Sequence, residues 1–199
     1  PAGFTPGEGT TETANDTAYT LYGLTPNTPY DVYVWSDCGG LESTSISASF
    51  RTDCGPITEL PYSENFDDAS AIYTSASQQN YIVCWDRYAS DPSHYVYIPS
   101  NTYAHSGTRF LDFHWTSGCY NIAIAPALDE SFDISQLMVT FWACRTGSSG
   151  TLEVGIMTDH ENDSTFVPVD TINLSAMNTY AYAEQYVKFD SYQCAGRYI

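Results

Sequence analysis

Short runs in which apolar residues fill every second position recur along this chain, and they restrict its fold more than any other feature. Val32 and Val34 alternate with Asp31, Tyr33 and Trp35. Leu111, Phe113 and Trp115 alternate with Asp112 and His114, and Leu152, Val154 and Ile156 alternate with Glu153 and Gly155. Successive side chains of an extended strand point to opposite faces, so each run reads as a half-buried strand. A helix would need apolar residues three and four apart, and such runs are almost absent. Clusters of Gly, Pro, Asn, Asp and Ser separate the runs and supply the turns. The stretch Leu137-Met138-Val139-Thr140-Phe141-Trp142-Ala143 is apolar on both sides, as expected of a central strand covered on both faces. The chain is therefore expected to be all-β, an antiparallel β-sandwich.

Composition narrows the function. The 199 residues carry 6 Lys plus Arg against 24 Asp plus Glu, a net charge of −18. A field of that sign repels phosphate backbones and anionic lipid surfaces, which excludes nucleic-acid binding and membrane association by charge. The 4 Trp, 17 Tyr and 9 Phe supply ample material for a core, unlike a disordered acidic tail. No apolar run approaches the roughly 18–20 residues of a membrane helix, so no membrane insertion is expected. No signal peptide opens the chain, which reads as a mature or excised segment.

Six cysteines (Cys38, Cys54, Cys84, Cys119, Cys144 and Cys194) form no C-x-x-C pair and no Cys/His cluster with zinc spacing. An even, scattered set in such a chain points to disulfides and to an extracellular or cell-surface location, with buried free thiols as the alternative. Cys38 and Cys54 stand at the ends of adjacent candidate strands and are expected to pair, with the other four pairing among themselves. A boundary is expected at Asp53-Cys54-Gly55-Pro56-Ile57, where a strand ends and Gly-Pro punctuates the chain. Residues 1–55 then hold strands at about 18–22, 29–36 and 45–52, and residues 56–199 hold about eight or nine.

In the first block, Leu24-Thr25-Pro26-Asn27-Thr28-Pro29-Tyr30-Asp31-Val32-Tyr33-Val34 resembles the E–F corner of a fibronectin type III domain. The resemblance implies a tyrosine corner, with the Tyr30 ring packed inward and its hydroxyl tying down the turn backbone. It also implies Val32 and Val34 facing inward, Tyr33 and Trp35 facing outward, and Phe50-Arg51-Thr52 as the last strand. It covers residues 1–53, whereas such a domain normally has about 90–100 residues and seven strands. Strands A, B and most of C have no counterpart, and residues 3–10 read as a loop after strand C. A partial Ig-like sandwich of this kind leaves sheet edges open, so its missing strands are expected from other polypeptide.

The second block, residues 56–199, is similar to the cleaved-adhesin domains, which are MAM-like jelly rolls of Bacteroidetes surface proteins and gingipain-type adhesin regions. The motifs run in order: Leu60-Pro61-Tyr62-Ser63-Glu64-Asn65-Phe66-Asp67, Cys84-Trp85, His105-Ser106-Gly107, Ala125-Pro126-Ala127-Leu128-Asp129 and Gly196-Arg197-Tyr198-Ile199. The resemblance implies a jelly roll lacking its last strands. It also implies a calcium ion near the opening strand, where Asp67 follows Phe66 and Glu64 and Asp68 lie close in sequence. Strand alternation puts Asp67 on the opposite face from Glu64 and Asp68, and the family's distal aspartates would lie beyond Ile199. A Bacteroidetes source further implies O-glycosylation at Asp-[Ser/Thr] patterns, here Thr17, Ser164 and Thr171.

No G-x-S-x-G, H-E-x-x-H or phosphate-binding loop is present, and His94, His105, His114 and His160 are isolated in sequence. His114 with Asp112 is the one Asp–His pair on a shared strand face. The aromatic content points instead to binding, because sugar C–H faces pack on exposed rings and no like charge opposes a neutral glycan. Trp35 with Tyr33, and Tyr95 with Tyr97, are the candidate platforms, and Tyr180 and Tyr182 share a further face. The expectation is a non-catalytic adhesion or binding module of a larger bacterial surface or secreted protein. Its partner is a host or matrix protein, a glycan, or other copies or segments of the same protein. The alternatives are a structural spacer or filament repeat, or an accessory domain of a secreted protease or glycoside hydrolase.

Overall fold

The structure, a computed structural model, describes residues 2–5, 7–68, 72–75, 78–100, 102–114, 117–147 and 150–199, with the backbone alone for 72–75 and 78–81. Trp115 lies outside the described residues. The chain is all-β, of antiparallel sandwich type, and its only helical pieces among those residues are short 3₁₀ turns. It divides into two compact units, Pro1–Gly55 and Pro56–Ile199.

Pro1–Gly55 is built on one antiparallel hairpin, β1 (Pro29–Val34) with β2 (Ile46–Arg51), in a register from Pro29↔Arg51 to Val34↔Ile46. The Thr25 N–H donates to the Tyr30 hydroxyl at 2.9 Å, and the Tyr30 ring stacks on Phe50 across the hairpin, centroids 6.0 Å apart. This is the tyrosine-corner bond expected from the sequence. Thr52 closes the same turn: its Oγ1 accepts from the Thr28 N–H at 2.9 Å and donates to the Thr25 carbonyl at 2.6 Å.

Two expectations for this unit are corrected. Residues 18–22 form no strand, because their backbone finds no ladder partner. Val34 does not face a core but is 56% exposed, Ile46 opposite it is 73% exposed, and every residue of β2 is exposed. A two-stranded ribbon has no second layer to cover its apolar face.

Pro56–Ile199 carries β3 (Ile72–Ser75), β4 (Gln78–Ile82), β5 (Asp86–Ala89), β6 (Val96–Tyr97), β7 (Asp112–Phe113) and β8 (Asn121–Ile124). It continues with β9 (Met138–Ala143), β10 (Thr151–Ile156), β11 (Val167–Asn173) and β12 (Ala183–Lys188). The ladders pair β3 with β4, β5 with β8, β6 with β7, β9 with β12 and β10 with β11, all antiparallel. Two apolar clusters hold these strands together. One gathers Leu128, Ile134, Ile156, Val187, Phe189 and Tyr192, with Val139 and Phe141 of β9 packed against it. The other gathers Ile82, Val96 and Ile98, with Leu111 and Phe113 against them. Alternation in β10 meets its expectation, with Ile156 buried while Glu153 faces out.

Cysteine pairing departs from the sequence reading. Cys54 is bonded to Cys84, while Cys38, Cys119, Cys144 and Cys194 are free thiols. Cys38 follows the Val34 end of the hairpin and Cys54 the Arg51 end, and antiparallel pairing puts these ends a full strand length apart. A disulfide needs Cα atoms within roughly 7 Å. The same reasoning separates Cys144 from Cys194: one follows Ala143 at the Ala183 end of the β9–β12 ladder, the other lies beyond its Lys188 end.

Candidate binding surface

The feature with most chemistry on it lies on the outer face of β9 and β12. Val139 and Phe141 turn inward to the core, so Met138, Thr140 and Trp142 turn outward, and across the ladder they stand beside Lys188, Tyr186 and Glu184. Trp142 is 47% exposed and Tyr186 56% exposed, which corrects the expectation that residues 137–143 form a strand covered on both faces. Thr140, Glu184 and Lys188 beside them make this a solvated face with aromatic residues set into it.

Neighbouring loops add rings to that face. His105 lies flat on Trp142, centroids 4.2 Å apart and planes 12° apart. Tyr182 meets His105 edge-on at 5.0 Å and donates from its hydroxyl to the Tyr103 carbonyl at 2.6 Å. Burial pushes the Tyr182 phenol above its usual pKa. Tyr103 in turn stacks on Tyr180, centroids 5.5 Å apart and planes 25° apart. Tyr180 holds a left-handed backbone, φ 61°, fixed by its N–H donating to the Arg145 carbonyl at 2.9 Å, yet its side chain is 60% exposed. A bulky residue at positive φ is uncommon and costs free energy that its neighbours must offset. Arg145 is itself fixed, donating from Nε to the Met177 carbonyl at 2.6 Å and from Nη1 to the Gly147 carbonyl.

The loop that carries His105 is anchored by Asp67. Its Oδ1 accepts from the Thr108 N–H at 2.9 Å, the Thr108 hydroxyl at 3.2 Å and the Arg109 N–H at 3.0 Å. Those donors, led by the Thr108 N–H, hold the Asp67 carboxyl below the usual carboxylate range. Gly107 in this loop has φ 62° and lies so close to the Asp67 carboxylate that no Cβ fits between them.

Asp67 is therefore employed in a way the calcium expectation did not foresee. Glu64 is likewise turned onto its own backbone, accepting from the Phe66 N–H at 2.6 Å. One oxygen each of Asp67 and Glu64 thus accepts from backbone donors, and no group of three His, Cys, Asp or Glu among the described residues is placed to hold a metal.

No family model, curated protein or solved structure matches this chain.

The other ring positions read from the sequence are half-buried. Tyr33 packs its edge on Phe4, centroids 5.4 Å apart, and Trp35 is half-buried close by on the chain. Tyr95 lies beneath the Arg87 guanidinium at 5.3 Å and meets Tyr97 edge-on at 6.1 Å, so that pair presents no common flat face. Around it sit His94 and His114, ring centroids 5.1 Å apart. His94 Nδ1 is 3.1 Å from Asp91 Oδ2, the oxygen to which the Cys119 thiol donates at 3.8 Å. Burial raises the pKa of Asp112, which shares this cluster through Tyr97 and His114. The candidate modification sites Thr17, Ser164 and Thr171 are all exposed.

Sequence reasoning named Tyr180 and Tyr182 but missed Trp142, His105 and Tyr103 as site residues. The available signal was Trp142 inside a strand apolar on both sides, which suits a strand with an exposed aromatic face as well as a covered one.

Proposed function

We propose that this chain is a non-catalytic extracellular binding module of a bacterial surface or secreted protein, adhering to a host or matrix protein or to a glycan. The observation that carries this reading is the assembly of exposed Tyr103, His105, Trp142 and Tyr180 around half-buried Tyr182 at the solvated face of β9 and β12. Leaving large rings in water forgoes the stabilisation that their burial would bring, and a protein gains from doing so where a partner covers them. The resemblance of residues 1–53 to a fibronectin type III corner and of residues 56–199 to a cleaved-adhesin jelly roll supports the same reading, and the Cys54–Cys84 disulfide supports an oxidising location.

The test is binding of the immobilised chain to panels of extracellular-matrix proteins and glycans, with Trp142→Ala/Tyr180→Ala as the paired control. Binding that the double variant loses is the expected result. Absence of binding to every member of both panels would refute the proposal. The spacer alternative draws on the exposed β1–β2 hairpin, and it predicts that the purified chain assembles end to end, with a mass in solution that rises with concentration.

A further inference from the structure

Resting on the binding-module reading, we propose that the Trp142 surface takes a neutral oligosaccharide, with one pyranose ring on Trp142 and a second sugar at the Tyr103–Tyr180 stack. Four observations lead to this ligand class. His105 stacks nearly parallel on one face of Trp142, which fixes the indole plane, and Trp142 is still 47% exposed. A flat, held ring suits a pyranose, whose face of C–H bonds carries partial positive charge toward the negative face of an aromatic ring.

Two stacked pairs, His105–Trp142 and Tyr103–Tyr180, are joined through Tyr182, which touches His105 with its ring and Tyr103 with its hydroxyl. Repeated platforms match a ligand made of repeated rings. The left-handed backbone of Tyr180 keeps the second platform in solvent at a conformational cost, as at a site organised before its ligand arrives.

The neighbours of Trp142 are polar. Glu184 is its ladder partner, Thr140 and Tyr186 are the next outward pair, and Met138 with Lys188 follows. Hydroxyls and a carboxylate around a ring can satisfy sugar hydroxyls, whereas a protein hot spot places its aromatic anchor in a desolvated, well-packed pocket. Charge selects among glycans. The chain is −18 overall and Glu184 stands beside the platform, so sialylated or sulfated sugars are repelled while neutral hexoses and N-acetylhexosamines are not.

The experiment is a printed array of neutral oligosaccharides with their sialylated and sulfated counterparts, followed by titration of the best neutral ligand. The whole chain is compared with Trp142→Ala, Trp142→Phe and Tyr180→Ala, and circular dichroism establishes that each variant is folded. Trp142→Ala is expected to weaken binding about tenfold or more, Trp142→Phe to retain part of it, and Tyr180→Ala to weaken longer ligands more than single sugars. Neutral-glycan binding unaffected by any of these substitutions overturns the assignment of the site. Absence of glycan binding, with Trp142-dependent binding to a matrix protein or to polylysine, overturns the ligand class and leaves the binding-module reading standing. Absence of binding to anything defeats both.

Discussion

Gly196 lies buried where residues 196–199 run across the core, and Gly196→Ala is the sharpest test of that packing. Met157 and Tyr198 form an antiparallel bridge, with the Met157 N–H donating to the Tyr198 carbonyl at 2.8 Å. Arg197 holds the segment further, donating from Nη1 to the Phe132 carbonyl at 2.7 Å. A Cβ on Gly196 would lie 2.5 Å from the Tyr192 hydroxyl and 2.9 Å from the Met157 carbonyl, and closer still to Ile156 Cγ2. None of these neighbours is the free end of a flexible side chain. Overpacking of this kind costs about 1–3 kcal/mol. Displacing Tyr192 also breaks the buried bond from the Gly196 N–H to its hydroxyl, 2.9 Å, at about 1–3 kcal/mol more. The sum, roughly 2–6 kcal/mol, lowers the melting temperature by roughly 4–24 °C for a domain of this size. Gly147→Ala is the control, since its Cβ meets nothing within 4 Å and an alanine there is neutral or stabilising by up to about 1 kcal/mol. Thermal melts followed by circular dichroism give both values. A Gly196→Ala variant that melts with the parent would refute the packing argument.

Four further outcomes are expected. Tyr30→Phe removes the acceptor for the Thr25 N–H, costs about 0.5–1.5 kcal/mol locally, and speeds exchange of that amide by up to about tenfold; an unchanged rate in NMR exchange would show the corner bond to be idle. Thiol titration of the denatured, unreduced chain yields four free groups, and peptide mapping links Cys54 to Cys84; zero thiols would contradict the pairing. Burial raises the folded pKa of Asp112, so its contribution is present below the ordinary carboxyl range and is lost as pH rises through the raised value. Asp112→Asn should flatten the melting profile over that interval, and an identical profile would remove Asp112 from the account. If Glu64, Asp67 and Asp68 hold calcium, millimolar Ca²⁺ raises the melting temperature and EDTA reverses the rise, because a ligand bound by the folded state alone must stabilise it; no shift would remove the cation from that loop.

Features set by neighbours along the chain were legible without coordinates. Alternation marked the strands at Val32, Val154 and Ile156, and Gly55-Pro56 marked the junction of the two units. The Tyr30 corner was visible for the same reason, since its hydroxyl reaches a backbone group only five residues away. Residues 18–22 have a strand composition, but a strand also needs a partner, and a composition cannot supply one. The cysteine pairing failed similarly, because sequence order gives no sign of which end of a hairpin each thiol occupies.

The binding surface shows this division most plainly. The apolar stretch 137–143 reads as a strand from its own chemistry, and β9 forms over Met138–Ala143 of it. Whether Trp142 faced a second layer or water depended on what lay across β9, and His105, brought from a loop distant in sequence, covers one face of its ring. Side-chain alternation is a local property of an extended backbone. Exposure is a property of every other segment in the fold, and only their assembly determines it.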